Sequence, residues 1–240
     1  MKFFKLLITV VLFFTISFLA PHIANSQSSS EITTEDMRDM MNTDRIPVQQ
    51  ATETTGTPFL FPDFHDGHIL LTNGQTTNVL ELRYNTYQQT LELLDGYSAL
   101  RMDPDHIQEF ELFIDNKVYK FEKGYDARRL SEDDFVRLII DDEIKFMAKH
   151  STSFQEGVAT YGSATQQDEY ISNVTYYIQV GDDGDIERIR SLNERRVMRQ
   201  IDQFEDRVEE FANSNNTDFS DPKDVEDLLQ YYNNLLADGD

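Results

Sequence analysis

The spacing of hydrophobic and polar residues changes period once along this chain, near residue 190. Before that point, short apolar runs of four to eight residues alternate with polar ones and stop at Gly, Asn or Asp. This is the signature of half-buried strands joined by tight turns. The pattern predicts strands over 68–72, 79–84, 91–94, 97–102, 109–114, 117–121, 135–140, 144–148, 170–180 and 186–190. Asn73-Gly74, Asp95-Gly96, Asp115-Asn116 and the run 181–185 supply turn chemistry between them. The longest candidate, 170–180, is rich in β-branched and aromatic side chains.

After residue 190 the apolar positions fall three and four apart. Ile201, Phe204, Val208 and Phe211 share one helical face, with Ser191 and Glu194 spaced as a capping box ahead of them and the run 213–216 as a stop. Asp221-Pro222 opens a second helix, with proline at its first position and Val225, Leu228, Leu229, Tyr232 and Leu236 on its buried face. The expected fold is α+β: an antiparallel β-hairpin-rich body at 57–190, then two C-terminal helices at 191–240 packed on the same domain.

The N-terminal end reads differently. Lys2 and Lys5 precede an apolar run at 6–20, Pro21 breaks it, and Ala24-Asn25-Ser26 offers small residues for cleavage. That order predicts a secretory signal peptide over 1–26. The run is short of the roughly 20 apolar residues that a spanning helix needs, and no second such run follows. The mature chain is therefore expected to be soluble, without a membrane span, and exported to the periplasm or the exterior. Residues 27–56 are rich in Ser, Thr, Gln and Glu with few large apolar side chains, and read as a flexible linker.

Charge and cysteine content narrow the chemistry. With 44 acidic against 21 basic residues the net charge is −23. Such a chain repels phosphate backbones, so nucleic acid is not an expected partner. With no cysteine, disulfides and thiol chemistry are excluded, and an ordinary apolar core must hold the fold.

The candidate sites are few. Asp182, Asp183 and Asp185 gather carboxylates in the turn after the long strand and are the candidate metal ligands, as calcium would use them. Their types also suit a plain hairpin turn. His65 and His68 stand too close in a strand to match a zinc motif. Asp133-Asp134 and 141–143 are adjacent acids, as such a composition produces by itself, and not a spaced catalytic pair. No nucleophile elbow, Walker loop or dinucleotide fingerprint occurs, and no cofactor is expected. Tyr84, Tyr176 and Tyr177 are the candidate ligand-binding rings, because tyrosines on a sheet suit a peptide or a sugar. In the pair 176–177 one ring must face away from the other's side of the sheet.

Several short stretches carry a resemblance through their order: Gly56-Thr-Pro-Phe-Leu, the hairpin from Gly67 to Gly74, Leu82-Arg-Tyr-Asn85, Tyr161-Gly162, Tyr176-Tyr177 and Leu229-Gln-Tyr-Tyr-Asn233. Over 57–240 the chain resembles a group of uncharacterised secreted β-rich proteins of Bacteroidota and related marine bacteria. The resemblance implies location and architecture, and carries no catalytic residue across. Together these readings predict an exported, non-enzymatic binding or scaffold protein of the bacterial envelope, with an envelope protein, peptide or glycan as partner. The alternatives are an extracytoplasmic hydrolase using carboxylates and a calcium-stabilised structural protein.

Overall fold

The structure, a computed structural model, describes Ile32, Met37, residues 44–47, 54–157, 167–182 and 184–239. The expected signal segment and Asp183 lie outside the described residues. Eleven strands form one antiparallel sheet: β1 Asp44–Pro47, β2 His65–Leu71, β3 Leu80–Asn85, β4 Thr90–Asp95, β5 Ser98–Arg101, β6 Ile107–Ile114, β7 Lys117–Glu122, β8 Val136–Ile140, β9 Ile144–Gln155, β10 Glu169–Val180 and β11 Glu187–Ile189. Three helices close the chain: α1 Glu194–Met198, α2 Glu205–Asn215 and α3 Pro222–Asp238. The fold is α+β, as expected. Among the described residues, no helix is long and apolar enough to cross a membrane.

The spatial order of the strands is β1-β5-β4-β3-β2-β6-β7-β8-β9-β10-β11. Two meanders therefore join where β6 returns to lie beside β2. Asp115 and Asn116 both take positive φ, 51° and 62°, the geometry that a two-residue hairpin with right-twisted strands requires between β6 and β7. Along each strand one set of alternate residues faces the core. On β3 that set is Leu80, Leu82 and Tyr84; on β6 it includes Phe110 and Leu112.

The sheet curls far enough for strands distant in its order to touch. Just after β3, the Thr86 carbonyl accepts from the Thr152 N–H of β9 at 3.0 Å, and the two threonine hydroxyls meet at 2.7 Å. Gln89 Nε2 adds a bond to the His150 carbonyl at 3.1 Å. Inside this curl Tyr84, Phe110, Phe121 and Phe135 pack as one aromatic cluster, Phe110 and Phe121 stacked at 4.6 Å.

A second core lies where the helices cover the other end of the sheet. Val225, Leu228, Leu229 and Tyr232 of α3, with Val208 of α2, pack on Ile140, Ile144, Phe146, Ile178 and Ile189. Asn233 fixes the docking. Its side chain accepts from the Ile144 N–H at 2.7 Å and donates to the Ile144 carbonyl at 3.2 Å. On the opposite face of β8–β10, Val136, Leu138, Met147 and Tyr177 form a smaller cluster under Leu130.

Two expectations are corrected. The helix expected from Ser191 through 213 is two helices: Asn193, not Ser191, caps α1, its side chain accepting from the Arg196 N–H, and Phe204 at φ 54° interrupts the path before α2. Helical spacing records which residues share a face. Ile201 and Phe204 do face the helical core, but from a segment that turns between two axes. The reading of 27–56 as a flexible linker fails at its described residues. Asp44–Pro47 pairs with β5, Thr55 bridges to Glu169, and Ile32 and Met37 are buried in the first core. Their low local hydrophobicity concealed this, because each contributes one side chain or one backbone edge to a core built elsewhere.

Candidate functional site

The long β9–β10 hairpin carries an open stretch of the sheet. Pairing with β9 runs the whole length of β10, from Glu169 opposite Gln155 to Val180 opposite Ile144. Among the described residues, β10 is paired on its outer side only at its ends. β11 covers Tyr176 to Ile178. At the other end the Tyr170 N–H donates to the Thr55 carbonyl at 2.9 Å, and the Thr55 N–H to the Asp168 carbonyl at 2.9 Å. Gly56 holds this junction: its φ is +77°, and a Cβ there would stand 2.4 Å from the Tyr170 carbonyl oxygen.

The Tyr170 N–H therefore points outward. A strand's backbone groups alternate sides, so the N–H and C=O of Ser172 and Val174 point outward too. Among the described residues they meet no backbone partner. Residues 171–174 are all exposed, including two β-branched side chains, Ile171 at 37 % and Val174 at 41 %. The result is a slot about one short strand long, closed at each end by chain. An unpaired edge of this kind is a template for another strand.

An aromatic cluster borders the slot. Phe154 and Tyr170 face each other across β9 and β10 with ring centroids 5.0 Å apart, and Tyr87 lies 5.6 Å from Tyr170. Tyr87 and Phe154 are exposed. Ser172 and Val174 continue from Tyr170 on the same face of the strand, towards Tyr176. Acidic groups gather at this end: Glu156, Asp168 and Glu169, with the Asp168 carboxylate accepting from the Gly157 N–H at 2.8 Å.

The rings singled out in the sequence lie elsewhere. Tyr84 is 1 % exposed inside the curl, its hydroxyl donating to Gln89 at 2.8 Å, and burial pushes its ionisation far upward. Tyr177 is 0 % exposed, and its hydroxyl donates to the Arg129 carbonyl at 3.1 Å. Neither ring offers a surface. Tyr176, on the opposite face from Tyr177, is half-buried and stacks on Phe146 at 5.4 Å. The signal that finds Tyr87, Phe154 and Tyr170 is cross-strand pairing, which the sequence alone does not display.

No family model, curated protein or solved structure matches the chain.

The acidic candidates separate. The exposed Asp182 reaches Lys145 at 3.4 Å, while Asp185 is exposed in the same turn. Among the described residues no group of three His, Asp or Glu is placed to hold a metal. Asp134 pairs with Lys149, and Asp141 with Lys145 at 2.7 Å. His65 and His68 each lean edge-on against a phenyl ring, Phe61 and Phe113. A depression of about 350 Å³ near the end of α3 is lined by Asp142 and Glu143, two carboxylates from one turn. A second of about 400 Å³ between α1 and α2 has Glu194 and Glu209 on it, both exposed.

Proposed function

We propose that this chain is an exported binding protein that accepts an extended peptide segment of an envelope partner as an added strand on β10. The observation that carries the reading is the outward backbone of Ser172 and Val174, unpaired among the described residues, between the Thr55 and β11 junctions. Strand addition draws its affinity from main-chain hydrogen bonds and its selectivity from alternate side chains. Each added bond contributes about 1 kcal/mol net. Every second side chain of the incoming strand would lie beside Val174 and the Tyr87–Phe154–Tyr170 cluster. Glu156, Asp168, Glu169 and a net charge of −23 favour a basic segment.

A binding role also fits the carboxylates, several of which are held by lysines. Export rests on the N-terminal residues 1–26 and is part of the proposal, as is the likeness to secreted proteins of Bacteroidota. A glycan would use the rings but leave the backbone edge unanswered, so the peptide is preferred.

The test is a displayed library of linear peptides selected on the chain alone, the selected peptides then being measured on Val174→Pro, which removes one outward N–H. The reading expects basic, alternating sequences whose binding falls at least tenfold on Val174→Pro and on N-methylation of the peptide. Selected peptides that bind both proteins equally would overturn it.

A further inference from the structure

Several buried or half-buried basic side chains hold a carboxylate, and Arg137 does not. Arg83 is paired with Glu92, Lys120 with Glu109 and Glu122, Lys145 with Asp141 and Lys149 with Asp134. Arg137 has no carboxylate within 4 Å among the described residues, in a chain with 44 acids. Its guanidinium lies over the Tyr119 ring, 4.3 Å from the centroid. Burial lowers its proton affinity, with Tyr119, Glu226 and Tyr176 opposing from further away.

Register places its neighbours. Arg137 on β8 stands opposite Phe121 of β7 and Ala148 of β9, and Ala148 stands opposite Tyr176 of β10. The two-residue period puts Tyr119 and His150 on this same face. It lies between the aromatic core of the curl and the helix-covered core. Phe61 packs edge-on against Tyr119 at 5.3 Å. Two unanswered polar groups share this face. Arg137 Nε and His150 Nε2 are enclosed without a partner. The hydroxyls of Tyr119 and Tyr176 make no hydrogen bond among the described residues.

A buried donor without an acceptor costs about 1–3 kcal/mol, more when charged. A guanidinium stacked on a ring keeps its planar fork free, which matches a carboxylate edge-on. The surrounding charge favours a single negative charge over a dianion such as a phosphate monoester. The walls are rings: Phe61, Tyr119 and Tyr176. We propose that Arg137 anchors a second binding site, for one carboxylate carried on a small flat apolar body, with Tyr119, Tyr176 and His150 as supporting polar groups. This site shares neither Ser172 nor Val174 with the β10 slot, whose closed end reaches Tyr176.

The same chemistry is found on a free aromatic acid and at a peptide's C-terminus. The test follows the arginine Nε–H resonances of the full chain during titration with benzoate, benzamide, and an acetylated Ala-Phe dipeptide as acid or amide. The Arg137 signal is identified by its absence in Arg137→Lys. Benzoate is expected to shift it saturably, with benzamide at least tenfold weaker and Arg137→Gln losing the effect. Tighter binding of the acid dipeptide than of benzoate would name a chain terminus, and weaker binding a free acid. Equal binding of benzoate and benzamide to the unaltered chain, or no shift of the Arg137 signal by either acid, overturns the site without relying on any variant.

Discussion

Three residues carry more of the fold than their side-chain types suggest. Asn233 was invisible among the apolar positions of α3, yet it makes both hydrogen bonds to Ile144 that seat the helix on β9. Asn233→Leu should destabilise the chain by about 2 kcal/mol in urea unfolding, because it leaves a buried N–H and C=O unpaired. Arg83 lies between Phe59 and Phe64, 3.6 and 4.2 Å from their centroids, donates to the Pro62 carbonyl at 3.1 Å and pairs with Glu92 at 2.7 Å. Glu92→Ala leaves a buried cation alone and should cost about 3 kcal/mol, more than replacing the pair by Met and Leu. Burial and the nearby Arg137 lower the His150 pKa to about 4. The folded chain therefore prefers neutral His150. That stability is full above the unfolded value near 6.5 and is lost as the pH falls towards 4. Between pH 7 and 4.5 the melting temperature should drop further for the unaltered chain than for His150→Gln. Parallel drops would remove the assignment.

At the scale of elements, most strands were legible because turn chemistry marks their ends. Asp95 ends β4 with Gly96 turning the chain towards β5, and Asp115-Asn116 sits between β6 and β7. The start of α3 was legible for a similar reason: Asp221 caps it, accepting from the Lys223 N–H at 2.8 Å, and Pro222 follows. Three elements were not. β1 is four residues with no alternating apolar set, and it forms because β5 offers it an edge. The second half of β9, with Lys149, His150, Ser151 and Thr152, is held in the sheet by β10 and by Thr86. The break before α2 depends on where Asp202 goes: the Tyr232 hydroxyl donates to it at 2.7 Å, and this ties the bend to α3. Leu228 is 0 % exposed beneath that helix. Leu228→Ala should cost about 2–5 kcal/mol from lost burial and a cavity, read from the denaturation midpoint.

At the scale of the molecule, what the sequence could not display is the curl. Thr86 and Thr152 are 66 residues apart, and the contact between them brings Tyr87 to Phe154 and Tyr170. A ring cluster assembled over that distance leaves no local pattern. The sequence therefore pointed to rings that are large and sit in strands, and two of those three are interior. The acidic charge was legible throughout and gains a place in the structure as the setting of the β10 slot. The most direct measurement is amide hydrogen exchange along β10, free and with a selected peptide. In the free chain Ile171, Asn173 and Thr175, bonded to β9, should be protected, while Ser172 and Val174 exchange nearly as in an open coil. Peptide should then slow Ser172 and Val174 and leave the odd-numbered amides unchanged. Strong protection of Ser172 and Val174 in the free chain, or no change with peptide, would contradict the account.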